Sequence, residues 1–117
     1  QNCRLMGASF SGTVFDDVLI SGCGARYGNF SEARFRSCRF RNTDVSEGSF
    51  GGSQFQKSAV ENCRFRSTEF FHAGIAGLDF SSCSLEGAVF AVSDVKGITV
   101  SAEQAVELSK LLGIRVK

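Results

Sequence analysis

Hydrophobic residues recur at every fifth position of this chain, without a break in phase, from Leu5 to Val100. They are Leu5, Phe10, Phe15, Ile20, Ala25, Phe30, Phe35, Phe40, Val45, Phe50, Phe55, Val60, Phe65, Phe70, Ile75, Phe80, Leu85, Phe90, Val95 and Val100, and they include eleven of the twelve Phe residues. Neither an α-helix, with period 3.6, nor an ordinary strand, with period 2, produces this spacing. An internal repeat therefore sets the architecture before any propensity argument begins. A backbone that turns a corner every five residues closes a square after four corners. Twenty residues then make one coil, and successive coils stack as parallel ladders about 4.8 Å apart.

Residues twenty apart belong together on this reading. Phe10, Phe30, Phe50, Phe70 and Phe90 form one pure Phe column. The others are Phe15, Phe35, Phe55, Ile75 and Val95; Ile20, Phe40, Val60, Phe80 and Val100; and Leu5, Ala25, Val45, Phe65 and Leu85. Ala25 fills its place poorly, so looser packing is expected beside it. A second inward position, two residues before each centre, holds mostly small residues such as Ala8, Gly28, Ala33, Gly48, Ser53, Ser58, Ala73 and Ala88. Large centres alternating with small partners fill a narrow lumen at native density. Leu78 and Ile98 are large exceptions and place a wider lumen near the C-terminal end. Outward ladder neighbours should carry opposite charge, and Asp16 with Arg36, Arg41 with Glu61, Asp44 with Arg64, and Arg66 with Glu86 do. Each such pair contributes about 0.2–1 kcal/mol.

The repeat units Ala8-Ser9-Phe10-Ser11-Gly12, Ala33-Arg34-Phe35-Arg36-Ser37 and Ala88-Val89-Phe90-Ala91-Val92 resemble the pentapeptide repeat proteins. The resemblance covers residues 3–100. It implies an all-β solenoid, a right-handed quadrilateral β-helix of about five coils, within a bacterial protein. No insertion breaks the phase, whereas quinolone-resistance members of the family often carry projecting loops.

The pattern changes at Ser101. Ser101-Ala102-Glu103-Gln104 reads as a capping box with an acidic first turn. Ala105, Leu108, Leu111 and Leu112 form an apolar stripe at helical spacing, and Gly113 is a natural stop. The spacing predicts a helix over 102–112, lying across the last coil and shielding Leu85, Phe90, Val95 and Val100. Ile114 and Val116 then alternate as an extended tail. The expected division is a β-helix over 1–100 and a capping helix and tail over 101–117. The first coil has no matching cap, which leaves an open ladder edge. It suggests either that the chain is a portion of a longer solenoid continuing before Gln1, or that two chains meet end to end.

Composition narrows the function classes. With 13 basic and 12 acidic residues, the net charge of +1 gives no ground for a nucleic-acid partner. No apolar run approaches membrane length, and no signal peptide is visible. Cys3, Cys23, Cys38, Cys63 and Cys83 all take the small inward position, where Cys acts as a small buried hydrophobe. Parallel vectors one coil apart suit neither a metal site nor a disulfide. Five free, unreactive thiols and a reducing, cytoplasmic compartment are expected; export stays open, because a targeting segment could precede Gln1. No cofactor or metal is expected.

No catalytic set emerges. The single His72 has no nucleophile in phase with it, and no phosphate loop exists. Two surface clusters are candidates for contact. Phe71, the one Phe out of phase, should point outward beside Val89, Ala91 and Val92, with His72 adjacent. With Leu108, Leu111 and Leu112 of the cap, these are the candidate partner or dimer contacts, unless the cap covers them. Arg34, Arg36, Arg39 and Arg41 form a basic patch without interleaved aromatics, which argues against a single-strand stacking platform. The reading is a non-catalytic protein-interaction scaffold, with an unidentified protein partner or a homodimer through an end of the solenoid. The alternative implied by the resemblance is a DNA mimic that engages a type II topoisomerase, DNA gyrase. Such mimicry needs a strongly acidic surface, which this composition lacks.

Overall fold

The computed structural model describes residues 4–110 and 113–114. Cys3, Leu111, Leu112 and Val116 lie outside the described residues. The chain winds as a parallel β-solenoid in which residue i pairs with residue i+20. Strands β1 (Val14–Asp16), β3 (Arg34–Arg36) and β5 (Gln54–Gln56) form one parallel three-stranded sheet. Strands β2 (Leu19–Ser21), β4 (Arg39–Arg41) and β6 (Ala59–Glu61) form another. The registers place Phe15 on Phe35 on Phe55, and Ile20 on Phe40 on Val60. Single parallel bridges continue the pairing along Arg4, Gly24, Asp44, Arg64 and Ser84, and along Ser9, Asn29, Ser49, Glu69 and Val89.

Side chains alternate in and out along each three-residue strand, so Arg-Phe-Arg and Gln-Phe-Gln each bury the Phe and expose its neighbours. The buried rings stack along their columns: Phe30 lies 4.9 Å from Phe50, Phe35 4.6 Å from Phe55, and Phe70 5.0 Å from Phe90. Rings from opposite columns also meet edge-on across the lumen, as Phe40 does with Phe30 at 6.3 Å and with Phe50 at 6.2 Å. Ala25 is fully buried in this core. Gly28 and Gly48 sit inward, one above the other. A Cβ on Gly48 would stand 2.8 Å from the Gly28 carbonyl oxygen, so only Gly fits there.

Two kinds of corner recur. After Leu5, Phe10, Ala25, Phe30, Val45, Phe50, Phe65 and Phe70 a tight turn closes, with the N–H three residues on donating to the centre's carbonyl, as Ser53 does to Phe50 at 3.0 Å. The corners after Phe15, Ile20, Phe35, Phe40, Phe55 and Val60 lack that bond. At two of them the inward N–H instead donates to the side chain one coil further on: Cys38 N to Ser58 Oγ at 3.1 Å and Cys23 N to Thr43 Oγ1 at 3.4 Å. Those side chains in turn donate to main-chain carbonyls. Cys38 Sγ reaches Phe15 O and Arg36 O, both at 3.3 Å; Ser58 Oγ reaches Gln56 O at 3.0 Å; Thr43 Oγ1 reaches Arg41 O at 2.9 Å. The inward cysteines are thus more than small hydrophobes. Cys, Thr and Ser are the residue types that both fit the lumen and satisfy open-corner amides.

The left-handed backbone position is as periodic as the core. It falls two residues after every centre from Leu5 to Ile75 and again after Leu85 and Val95, with glycine at Gly7, Gly12, Gly22, Gly52, Gly77, Gly87 and Gly97. Ten non-glycine residues from Asp17 to His72 adopt it as well, so most corners do without the glycine that tight turns favour.

The outward charges follow the register in part. Arg41 meets Glu61 at 3.6 Å and Arg66 meets Glu86 at 3.2 Å. Asp16 with Arg36 and Asp44 with Arg64 are ladder partners but do not close into ion pairs. Arg26 pairs instead with Glu47 at 3.0 Å, one residue off the ladder spacing, and this hydrogen bond raises the Arg26 guanidinium further above its ordinary value.

The C-terminal end departs from expectation in two places. Val92–Val95 is a 3₁₀ turn rather than another ladder rung, and the bridged column ending Gln54–Gly74 goes no further. Helix α1 spans Ala102–Ser109, shorter than 102–112, and Lys110 closes its last turn. Ser101 and Gln104 form the expected capping box, Gln104 N to Ser101 Oγ at 3.2 Å and Ser101 N to Gln104 Oε1 at 2.8 Å. The helix docks mainly through a polar group: Gln104 Nε2 donates to Phe80 O at 2.8 Å and Cys83 O at 2.7 Å. Of the expected stripe, Leu108 packs on the core while Ala105 is exposed. Leu85 and Phe90 are buried, but Val95 and Val100 are only half-buried.

Candidate interaction surfaces

Phe71 sits one residue past the buried centre Phe70, so the alternation that buries Phe70 turns Phe71 outward. It is 42% exposed, with Val89 37% and Val92 52% exposed. Val89 is the ladder partner of Glu69, and Ala91, half-buried, follows one position beyond Phe90. Among the described residues the cap docks elsewhere, since α1 engages Phe80 and Cys83 and Leu108 packs on the core.

Two carboxylates fix the backbone beneath the patch. Glu69 Oε2 accepts from Phe71 N at 2.7 Å, while its Oε1 accepts from Ser49 Oγ at 2.9 Å. Ser49 Oγ in turn meets Ser31 Oγ at 2.8 Å. Asp94 Oδ2 accepts from His72 N at 2.8 Å and from Ala91 N at 3.0 Å. Elsewhere the N–H at the His72 position donates to a carbonyl one coil on, as Gly52 N does to Phe71 O at 2.9 Å. Asp94 therefore replaces the carbonyl that the 3₁₀ turn removes from the ladder. This role was invisible in the repeat pattern, since Asp94 lies at an outward position with no motif around it. His72 is exposed.

The four arginines occupy two strands on adjoining sides of one corner, Arg34 and Arg36 on β3 and Arg39 and Arg41 on β4, and all four are exposed. Arg41 alone among them forms an ion pair. Cys38, Cys63 and Cys83 are free thiols, and all four described cysteines are buried. The Cys63 and Cys83 thiols are hydrogen-bonded to each other; that bond, together with burial, pushes Cys63 up, and against the effect of burial it draws Cys83 down. No helix among the described residues is long and apolar enough to cross a membrane.

Comparison with protein-family models finds no match, and no curated protein matches the sequence significantly. Among solved structures the chain is similar to the pentapeptide repeat protein Rfr23 from the cyanobacterium Cyanothece 51142, at 13% identity and a TM-score of 0.41, over 85% of this chain and 88% of that one. It is similar to full-length QnrB1, a plasmid-mediated fluoroquinolone resistance protein, at 14% identity and a TM-score of 0.41, over 96% and 79% of the two chains. It is also similar to a pentapeptide repeat protein of the Arabidopsis thaliana thylakoid lumen, at 19% identity and a TM-score of 0.38, over 93% and 76%. The five-residue phase and the pairing of residues twenty apart, both read from this chain itself, make it a parallel β-solenoid built on a five-residue repeat.

Proposed function

We propose that this chain is a non-catalytic protein-interaction scaffold: a right-handed, four-sided coil of about five turns over 1–100, closed by a capping segment over 101–117. The observation that carries the reading is the apolar corner of Phe71, Val89 and Val92, exposed among the described residues, with half-buried Ala91, set on a backbone held by Glu69 and Asp94. A large aromatic side chain on a fixed frame loses little freedom on docking, which is how interface anchors work. The free thiols of Cys38, Cys63 and Cys83 suit a reducing compartment such as the cytoplasm.

The test compares the native chain with Phe71→Asp. Light scattering reports a second copy of the chain, and affinity capture from bacterial lysate reports another protein. The expected result is an association that Phe71→Asp removes while its circular dichroism and melting stay native. A variant that loses its fold would show Phe71 buried within one chain, and an association indifferent to Phe71 would refute the reading.

A further inference from the structure

We propose that the arginine row Arg34, Arg36, Arg39 and Arg41 is a docking surface for an acidic polypeptide segment in extended conformation. The inference rests on the interaction-scaffold reading but uses a different surface. The tripeptide Arg-Phe-Arg occurs three times, at 34–36, 39–41 and 64–66. In the third copy Arg66 is bound by Glu86 and Arg64 is the ladder partner of Asp44. In the first two copies the second arginine is likewise matched, Arg36 by its ladder partner Asp16 and Arg41 by Glu61 at 3.6 Å, but the first is not: Arg34 lies between Val14 and Gln54, and Arg39 between Leu19 and Ala59, so both of these columns are uncharged on either side. Arg34, Arg36 and Arg39 make no ion pair among the described residues.

The spacing is fixed by the strand. Arg34 and Arg36 flank buried Phe35, and Arg39 and Arg41 flank buried Phe40. Residues two apart on a strand are about 6.6–6.8 Å apart, the distance at which an extended polypeptide presents carboxylates on alternate residues. A surface groove of about 370 Å³ runs along this side, lined by Val14, Arg34, Phe35, Arg36, Gln54 and Gln56. It supplies guanidinium forks for carboxylates, amides for main-chain groups and an apolar contact at Val14. Nucleic acid fits less well, since no aromatic lines the groove except buried Phe35 and a net charge of +1 gives little long-range attraction.

Fluorescence anisotropy with a labelled peptide of alternating Glu and Thr tests the proposal at low ionic strength. The variant Arg34→Gln with Arg36→Gln copies the Gln54-Phe55-Gln56 sequence of the next coil, so its fold is safe. Binding should weaken about five-fold in this variant, the effect of two exposed ion pairs, and fall as salt rises. Phe71→Asp should leave it unchanged, which separates this test from the previous one. Absence of peptide binding, binding equal in the Gln variant, or tighter binding of single-stranded oligothymidine would each overturn the proposal.

Discussion

Ser58→Ala and Ser53→Ala make the same chemical change at two inward positions five residues apart, yet they should differ in cost. Ser53 Oγ donates to Phe50 O at 2.6 Å, and the Ser53 N–H also ends on Phe50 O. No neighbouring amide depends on that hydroxyl, so its removal should cost about 0.5–1 kcal/mol, the net worth of one hydrogen bond. Ser58 Oγ is the acceptor for Cys38 N at an open corner, in addition to donating to Gln56 O. Alanine there leaves a buried N–H without a partner, which costs about 1–3 kcal/mol by itself, so the total should be about 2–3 kcal/mol. At this chain length about 1 kcal/mol corresponds to roughly 4–8 °C in Tm, so Ser58→Ala should melt roughly 10 °C or more below the native chain and Ser53→Ala within about 8 °C of it. Ser58→Thr and Ser58→Cys should largely restore stability, because Thr43 Oγ1 accepts Cys23 N and the Cys63 thiol is hydrogen-bonded by the Thr43 main chain in the same way. Thermal melting followed by circular dichroism measures the difference. Equal losses for the two alanine variants would refute the two-corner account.

Other perturbations address the core, the patch and the cap. Phe50→Ala removes a fully buried ring stacked on Phe30 and Phe70 and should cost about 3–5 kcal/mol in chemical denaturation. Asp94→Ala orphans the His72 and Ala91 amides; hydrogen exchange should accelerate at those two positions while Phe30 and Phe50 stay protected. Gln104→Leu removes the donor to Phe80 O and Cys83 O, and α1 should become susceptible to limited proteolysis before the coils do. A gyrase supercoiling assay with and without quinolone should show no effect of the chain, since 13 basic against 12 acidic residues do not imitate a phosphate backbone.

The period of five made the columns legible because every centre from Ala25 to Phe90 is buried: Phe35, Phe40 and Phe50 have no alternative environment in so narrow a lumen. Phe71 was legible as outward for the same reason. The corner chemistry was less so. The columns at 38 and 58 and at 23, 43, 63 and 83 hold only Cys, Thr and Ser, but small size explains those types as well as hydrogen bonding does. Only coordinates show which N–H lacks a local acceptor. The 3₁₀ turn at Val92–Val95 was hidden because Val95 keeps the hydrophobic phase while the backbone leaves the ladder. The end of α1 and its docking through Gln104 depend on tertiary contacts that an apolar stripe does not encode.

Solution NMR on the chain with labelled Phe residues tests the central geometry most directly. Through-space contacts should join Phe30 to Phe50 and Phe50 to Phe70, with parallel main-chain contacts between Arg34 and Gln54 and between Arg39 and Ala59. Contacts of an antiparallel or helical kind across residues 30–70, with Phe30 and Phe50 apart, would contradict the account.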